Sequence, residues 1–133
     1  MAHVRFVIAL AAISVVPLQL VAQSDQLAAG IHAAETNDLS GARVHFTAVL
    51  HTEPHSYEAN WRLALVLIDI AKQTPDRIKS PARDSLYDLA ESYAHRAVAA
   101  MPDGAEGHFA LANAVGRAAL SKSTKERLRR AAL

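Results

Sequence analysis

Seven histidines and no cysteine define the metal chemistry that is open to this chain of 133 residues. His51 and His55 are four residues apart, the spacing that places two imidazoles on one helix face as zinc ligands. Glu53 and Glu58 are close enough in the sequence to complete a set of ligands. Pro54 lies between the two histidines, however, and ends a helix because its ring cannot continue the hydrogen-bond ladder. The sequence therefore predicts no metal site, and no motif indicates a cofactor.

Residues for hydrolysis or phosphate transfer are not arranged as those reactions require. The chain has no Gly-x-Ser-x-Gly turn for a nucleophilic serine, and its five glycines are scattered singly. Asp84 and Asp88 are four residues apart and share a predicted helix face. Arg83 and Arg96 lie beside them, a pattern typical of a solvated surface rather than of a catalytic acid pair. We therefore predict that the protein is not an enzyme.

Charge is divided unevenly along the chain. Residues 23–116 contain 7 basic and 12 acidic side chains, a net charge of −5, whereas residues 117–133 contain 6 basic and 1 acidic, a net charge of +5. Basic segments of this kind bind phosphates or anionic lipid surfaces. The rest of the chain is acidic and repels both phosphates and anionic lipids. We therefore predict no nucleic-acid partner and no membrane contact beyond the N-terminal segment.

The composition predicts helices as the elements that position these side chains. Hydrophobic residues make up 51% of the chain but aromatic residues only 5%, and alanine supplies much of the apolar count. Small side chains favour helices that approach one another closely, whereas strands favour β-branched and aromatic residues. The fold class that we predict is all-α.

Capping residues and prolines divide the chain into six predicted helices. The first begins at Ser24 or Asp25 and ends before Asn37. The others are predicted over residues 41–52, 57–73, 81–101 and 105–120, and from a capping box at Ser123 to the end of the chain. One apolar stripe of the fourth is predicted to face the core, and it comprises Leu86, Leu89, Ala90, Tyr93, Ala94, Ala97 and Val98.

A repeat of 48 residues relates the second predicted helix to the fourth. The repeated positions are Ala42, Phe46, Val49 and Pro54, followed by Ala90, Ala94, Ala97 and Pro102. In a frame of about 34 residues that begins at Gln23, they resemble the second-helix signature of a tetratricopeptide repeat, and Gly30 falls on its small first-helix position. The resemblance implies antiparallel helical hairpins stacked as a short right-handed solenoid.

This frame divides the chain into three repeats after an N-terminal segment. They cover about residues 23–56, 57–104 and 105–133, and the last one is incomplete. The middle repeat spans 48 residues instead of about 34, and we expect the excess to lengthen each of its helices by about seven residues. No polar capping helix is predicted at the end of the stack, so we expect a truncated version of a longer array.

Within this superfamily, two segments resemble one particular family. The segments ANWRLALVLIDIAKQ and AESYAHRAVAAMPDGAEGHFALANAVG are similar to the helical-repeat domain of the regulator of microtubule dynamics proteins, over about residues 59–131. Members of that family also have a lengthened hairpin at this place, and their chains continue further. The resemblance therefore supports the repeat frame and the expected truncation.

The resemblance also implies a concave groove, lined by the first helix of each repeat, that binds a protein or peptide. Carried over by position, the candidate groove residues are Glu58, Trp61, Leu65, Asp69, Glu106, Phe109, Asn113 and Arg117, with Leu27, Ile31 and Glu35 in the first repeat. Trp61 and Phe109 occupy the same position in successive repeats, and partly exposed aromatic residues are frequent hot spots of protein interfaces. Burial in the core of their own hairpins is the alternative for both rings.

Asn113 also matches one position of the clamp with which some tetratricopeptide relatives hold a peptide's terminal carboxylate. The lysines of that clamp are absent, because Ser24, Glu58 and Trp61 stand at their positions. The resemblance therefore does not predict such a clamp.

Residues 1–22 differ from the rest of the chain. Arg5 precedes an apolar run from Phe6 to Val16, Pro17 interrupts it, and Ala22 offers a small residue for cleavage. This order is typical of a secretory signal peptide, so we expect an exported protein, periplasmic or extracellular. An uncleaved membrane anchor through residues 4–22 is the alternative.

These observations together predict a non-enzymatic protein-interaction scaffold that binds a peptide or protein segment in its groove. Solenoid repeats leave an extended surface for partners, because neighbouring repeats supply each other's core. The alternative is a structural or envelope-assembly protein that self-associates through its C-terminal edge.

The prediction that the chain has no metal site can be tested by thermal unfolding of the full chain, monitored by circular dichroism. We expect Tm to stay within about 1 °C on addition of zinc or EDTA, because a metal that binds the folded state alone would raise it. A rise with zinc that EDTA reverses, and that His51→Ala abolishes, would contradict the prediction.

Overall fold

A computed structural model describes residues 18–121 of the protein, with the side chains of residues 24–121. Its helices are α1 (Leu18–Glu35), α2 (Leu39–Thr52), α3 (Tyr57–Lys72), α4 (Pro81–Ala100) and α5 (Ala105–Ser121). No strand occurs within residues 18–121. The predicted all-α fold class is confirmed, and the bounds of α2 to α5 lie within two residues of the predicted ones.

Short polar side chains begin the middle helices as the sequence indicates. The Oδ1 atom of Asp38 accepts a hydrogen bond from the backbone amide three residues on, at 2.9 Å, and caps α2. Ser56 and Ser80 cap α3 and α4 through their hydroxyl oxygens, and Pro81 occupies the first turn of α4, where a missing amide costs nothing. Asn37 has a φ of 61°, which lets it end α1 in the left-handed conformation.

The two ends of the chain differ from the prediction or lie outside the described part. Helix α1 is described from Leu18 onwards and already includes Ser24 and Asp25, so neither of them caps it. Residues 18–22 of the predicted signal segment belong to this helix, and the remainder of that segment lies outside the described residues. The helix predicted from Ser123 also lies outside them.

The helices pack as successive hairpins. Helix α1 pairs with α2, and α3 pairs with α4, while α2 also packs on α3. Helix α5 packs on both α3 and α4. Short connections make neighbouring helices antiparallel, and the resulting stack is consistent with a helical solenoid.

The core of the stack is built largely from alanine. Fully buried alanines, each 0% exposed, occur at Ala42, Ala59, Ala64, Ala90, Ala94, Ala97, Ala110, Ala114 and Ala118. The first hairpin closes on Phe46, which is 0% exposed and lies against Gly30. A Cβ atom built on Gly30 would lie 2.7 Å from Cε1 of Phe46, closer than atoms can pack, so the ring fits because that side chain is absent.

The second hairpin gains its length differently from the prediction of about seven residues in each helix. Helix α4 has 20 residues against 14 in α2. The loop of residues 73–80 between α3 and α4 is also longer than the loop of residues 36–38 between α1 and α2. Part of the excess therefore forms a loop and most of the rest extends α4.

The buried stripe of α4 is rotated relative to the predicted one. Its buried residues are Arg83, Tyr87, Ala90, Ala94 and Ala97, so the prediction is confirmed for the three alanines, whereas Leu89 is 38% exposed. The prediction that Arg83 lies on a solvated face is wrong. Its guanidinium group turns inward because it donates to two carbonyl oxygens of the α3–α4 loop, and a charge that is hydrogen-bonded in this way can be buried.

None of the helices described in residues 18–121 is both long enough and apolar enough to cross a membrane.

Phe46→Ala is expected to lower the free energy of unfolding by about 3–5 kcal/mol, because it removes a fully buried ring and leaves a cavity. Val44→Ala is the matched control on the same helix, since Val44 is 66% exposed; its cost should stay within about 0.5 kcal/mol. Urea unfolding of the full chain measures both. Equal costs for the two variants would show that Gly30 and the ring do not form the core contact described above.

Candidate protein-interaction groove

The eight residues predicted for α3 and α5 lie at similar turns of two neighbouring helices. On each helix they are spaced by three or four residues, so they share a face, and α3 packs against α5. We call this shared surface the groove. Its half-buried members are Glu58, Trp61, Leu65, Asn113 and Arg117, and its exposed members are Asp69, Glu106 and Phe109. In the first repeat Leu27 and Ile31 pack against the core, whereas Glu35 is exposed.

Trp61 forms one wall of a small cavity beside the groove. The cavity has a volume of about 190 Å³, lies between the first hairpin and α3, and is lined by Ala34, Leu39, Phe46, Trp61, Arg62, Leu65, Val66 and Asp69. The guanidinium carbon of Arg62 lies 4.4 Å from the centre of the indole ring, as in a cation–π contact. Arg62 also donates to Glu58 at 2.9 Å, so its charge is balanced within α3.

Phe109 is far more exposed than its counterpart in the preceding repeat. Its side chain is 63% exposed, whereas Trp61 is half-buried and packs against the core. The predicted alternatives for these rings were the groove and the core. Trp61 lies partly in the core, whereas Phe109 lies outside it. A phenylalanine exposed to this extent on a regular helix is available to a partner.

The charged members of the groove have partners at its C-terminal end. The ammonium group of Lys72 donates to the carboxylate of Asp69 at 2.6 Å. Arg117 approaches Asp76, in the α3–α4 loop, at 3.8 Å, which is an ion pair without a hydrogen bond. The end of the groove is therefore a set of paired opposite charges.

The N-terminal end of the groove holds a contact that the sequence analysis did not identify. The hydroxyl group of Tyr57 donates to Oε2 of Glu106 at 2.9 Å and accepts a hydrogen bond from the amide of Gly107 at 3.0 Å. A Cβ atom on Gly104 would overlap the Tyr57 ring, so this glycine makes room for it. Gly104 and Gly107 at the start of α5 are the only sequence signal for this contact, and they did not indicate which ring they admit.

Two pKa shifts follow from this contact. The amide of Glu106 itself and then the hydroxyl of Tyr57 hydrogen-bond the carboxylate, and both lower the pKa of Glu106. Desolvation, opposed in part by the hydrogen bond from Gly107, raises the pKa of Tyr57. The pair is therefore a neutral phenol that donates to an ionised carboxylate at neutral pH.

The histidines considered as metal ligands are separated by the end of a helix. His51 belongs to the last turn of α2, which ends at Thr52, and His55 lies beyond its C-cap. Among the described residues, no group of three or more histidine, cysteine or acidic side chains is arranged to hold a metal ion.

Comparison with known proteins gives one match. The family model of Regulator of microtubule dynamics protein 1-3 matches residues 20–133. The chain belongs to this family. The predicted resemblance is confirmed and extends over more of the chain than residues 59–131. No curated protein and no solved structure matches the chain.

Family membership corrects the predicted location of the protein. The family is named for the regulation of microtubule dynamics, and microtubules lie inside the cell. The prediction of an exported protein, periplasmic or extracellular, is therefore wrong. Its basis was the apolar run near the N-terminus, which is a weak indicator because signal peptides, anchors and the starts of buried helices share such runs.

Tyr57→Phe is expected to lower the free energy of unfolding at pH 7, because it removes the donor that favours ionised Glu106. The folded-state pKa of Glu106 lies below its usual value of 4.5. Its stabilisation is therefore present above pH 4.5 and is lost as the pH falls through the folded-state pKa. The difference between the variant and the wild type should consequently narrow between pH 5 and about pH 3, as measured by urea unfolding.

Tyr93→Phe is the matched control for this experiment, because among the described residues none hydrogen-bonds to the Tyr93 hydroxyl group. It should leave the pH dependence of stability unchanged. A Tyr57→Phe variant whose stability difference from the wild type is the same at pH 7 and at pH 3 would contradict the assigned contact.

Proposed function

We propose that the protein is a non-enzymatic interaction scaffold that binds a segment of another protein in the groove of α3 and α5. The observation that carries this proposal is the exposure of Phe109. A large aromatic ring that is 63% exposed loses hydration on binding and gains contact area, which makes it a strong candidate for an interface anchor.

The surroundings of Trp61 support the same proposal. The cavity beside it is partly apolar and is large enough for one apolar side chain of a partner, and Trp61 with Leu65 forms its groove side. Arg62 and Glu58 pair with each other at the rim. A rim whose charges are already paired excludes water from an apolar anchor without favouring one sign of partner charge.

The family supplies a direction for the search for partners. Its members are named as regulators of microtubule dynamics, so we extend to this chain the proposal that its partner acts on microtubules or is tubulin. The groove recognises a protein segment in either case, and no reaction is required of it.

Self-association is a second candidate, favoured by exposed apolar residues in the C-terminal half of α5. Leu120 is 64% exposed and Val115 is 40% exposed on this helix. A Cβ atom built on Gly116 would meet nothing within 4 Å among the described residues. Exposed apolar side chains of this kind can associate with a second copy of the chain.

Phe109→Ala and Trp61→Ala are each expected to reduce the amount of bound partner by at least about tenfold. Two assays measure this: capture of proteins from a cell extract with the tagged full chain, and co-sedimentation of the chain with polymerised tubulin. Phe109→Ala separates binding from stability better than Trp61→Ala does, because its exposed ring contributes little to folding. Val44→Ala, equally exposed but on α2, is the matched control and should retain the partners.

Sedimentation equilibrium distinguishes the second candidate. A dimer that depends on concentration, that Val115→Asp disrupts and that Phe109→Ala leaves intact would favour self-association. Retention of all partners by a folded Phe109→Ala variant would refute the groove as the binding site.

A further inference from the structure

A cleft between α2 and α4 lies outside the groove. Both helices pack on α3 but hardly on each other, so α3 forms the floor of the space between them. A cavity of about 110 Å³ lies there, and side chains of all three helices line it. We call it the α2–α4 cleft, and its lining residues are Arg43, Thr47, Leu63, Leu67, Leu89 and Tyr93.

The α2–α4 cleft and the groove lie on opposite sides of α3. Leu63 follows Trp61 by two residues, and Leu67 follows Leu65 by two residues. Because each residue of an α-helix is rotated by about 100° from the one before it, a step of two residues turns the side chain by about 200°. A segment bound in the α2–α4 cleft therefore leaves the groove accessible.

The floor of the α2–α4 cleft is apolar, and one of its walls is exposed to water. Leu63 and Leu67 are each 1% exposed, whereas Leu89 on α4 is 38% exposed. A water molecule occupies about 30 Å³ of the liquid, so a cavity of about 110 Å³ holds about four non-hydrogen atoms. A leucine side chain has four carbon atoms, and its entry would also remove Leu89 from water.

The charged side chains of the α2–α4 cleft are arginines. Arg43 is exposed and forms no hydrogen bond or ion pair within residues 24–121. The guanidinium carbon of Arg96 lies 5.0 Å from the centre of the Tyr93 ring, and in the same part of the chain no carboxylate pairs with it. Helix α2 contains no acidic residue. The described residues therefore leave both positive charges without a partner of opposite sign.

This charge pattern differs from that of the groove. There, Glu58 pairs with Arg62 at 2.9 Å, and Asp69 pairs with Lys72 at 2.6 Å. The groove consequently has little preference for the charge of a partner, whereas the arginines of the α2–α4 cleft attract a negative one.

We propose that the α2–α4 cleft is a second docking site, which binds an acidic protein segment through one side chain of about the size of leucine. That side chain enters the cavity over Leu63 and Leu67, and carboxylates beside it pair with Arg43 and Arg96. The proposal goes beyond the groove and does not depend on it, because the two sites share no residue.

The chemistry of the lining favours an acidic segment over other occupants. A guanidinium group offers two parallel donors that match the two oxygens of a carboxylate. A free anion has no side chain to fill the apolar cavity. A second copy of the chain that docked by the same surface would bring its own Arg43 and Arg96 to this site, and like charges oppose that arrangement.

The test is an NMR titration of the full chain with the capped peptide EEELEEE. The peptide QQQLQQQ is its uncharged match, and EEEAEEE is the match without the leucine side chain, all at the same ionic strength. We expect saturable shifts of the Leu89 methyl and Tyr93 ring signals with EEELEEE. Each matched peptide should bind at least about threefold more weakly, because one lacks the ion pairs and the other lacks the apolar contact.

Three variants and one control complete the experiment. Arg43→Gln and Arg96→Gln should each weaken binding of EEELEEE by about twofold to fivefold and leave QQQLQQQ unaffected. Leu89→Asp should abolish binding of EEELEEE. Arg77→Gln is the matched control, because Arg77 is an exposed arginine of the α3–α4 loop that does not line the cavity, and it should bind the peptide as the wild type does. Circular dichroism verifies that each variant is folded.

The Phe109→Ala variant separates this site from the groove. It should leave the shifts caused by EEELEEE unchanged, since Phe109 belongs to the groove. Loss of the shifts in this variant would place the peptide in the groove and overturn the proposal. Loss of partner binding in the groove experiment, or its retention, has no effect on the titration with EEELEEE.

Four other results would also overturn the proposal. Absence of saturable shifts at Leu89 and Tyr93 would mean that no such segment binds, and equal binding of QQQLQQQ would mean that the arginines do not select the partner. Binding to vesicles of phosphatidylserine and phosphatidylcholine that EEELEEE prevents would assign the site to a lipid surface. The same shifts on raising the protein concentration alone would assign it to a second copy of the chain.

Discussion

Helix backbones approach one another closely throughout this protein because alanine and glycine occupy their contacts. Within residues 24–121, nine alanines are fully buried, and Gly30 admits the ring of Phe46 to a distance that any side chain would prevent. Small contacts bury little apolar area per residue, so the few large buried side chains carry a disproportionate share of the stabilisation. Phe46 has this role in the first hairpin, and Tyr87 has it in the second.

Close packing also requires that polar groups at the helix ends be satisfied locally. The side-chain amide of Asn60 donates to the carbonyl oxygens of Pro54 and Ser56 at 3.0 and 2.7 Å, which fixes the α2–α3 connection. Arg83 fixes the α3–α4 loop in the same way. Both side chains are buried, and both direct their N–H donors to backbone carbonyl oxygens of these connections. The hairpins are consequently joined by ordered connections.

Phe46 and Tyr87 are buried in the core, whereas the two aromatic rings of the groove are not. Trp61 reaches only the edge of the core, and Phe109 lies on the surface. The charges around them are largely paired within the molecule, as Glu58 is with Arg62 and Asp69 is with Lys72. Apolar anchors set among paired charges suit recognition of a protein segment better than binding of a small charged metabolite.

Much of the architecture follows from the sequence alone. Helix bounds are determined by contacts between residues three or four apart, and a linear pattern shows such contacts. The residues concerned are the caps Asp38, Ser56 and Ser80 and the proline that follows Ser80. Composition and the 48-residue repeat indicated the helical-repeat fold, and the resemblance of two segments to its helical-repeat domain indicated the family. The start of α1 and the location of the protein were not predicted correctly, because an apolar N-terminal run fits several roles.

Only the tertiary structure decided which face of each helix is buried and which distant residues meet. The contact between Tyr57 and Glu106 joins residues 49 apart, and the burial of Arg83 and Tyr87 in place of Leu89 depends on how α4 is rotated against α3. The rotation of a helix about its axis is set by its neighbours, and a periodic pattern restricts it only to within about one residue position. For the same reason, the exposure of Phe109 could not be derived from the sequence, which left both the core and the groove open as positions for its ring.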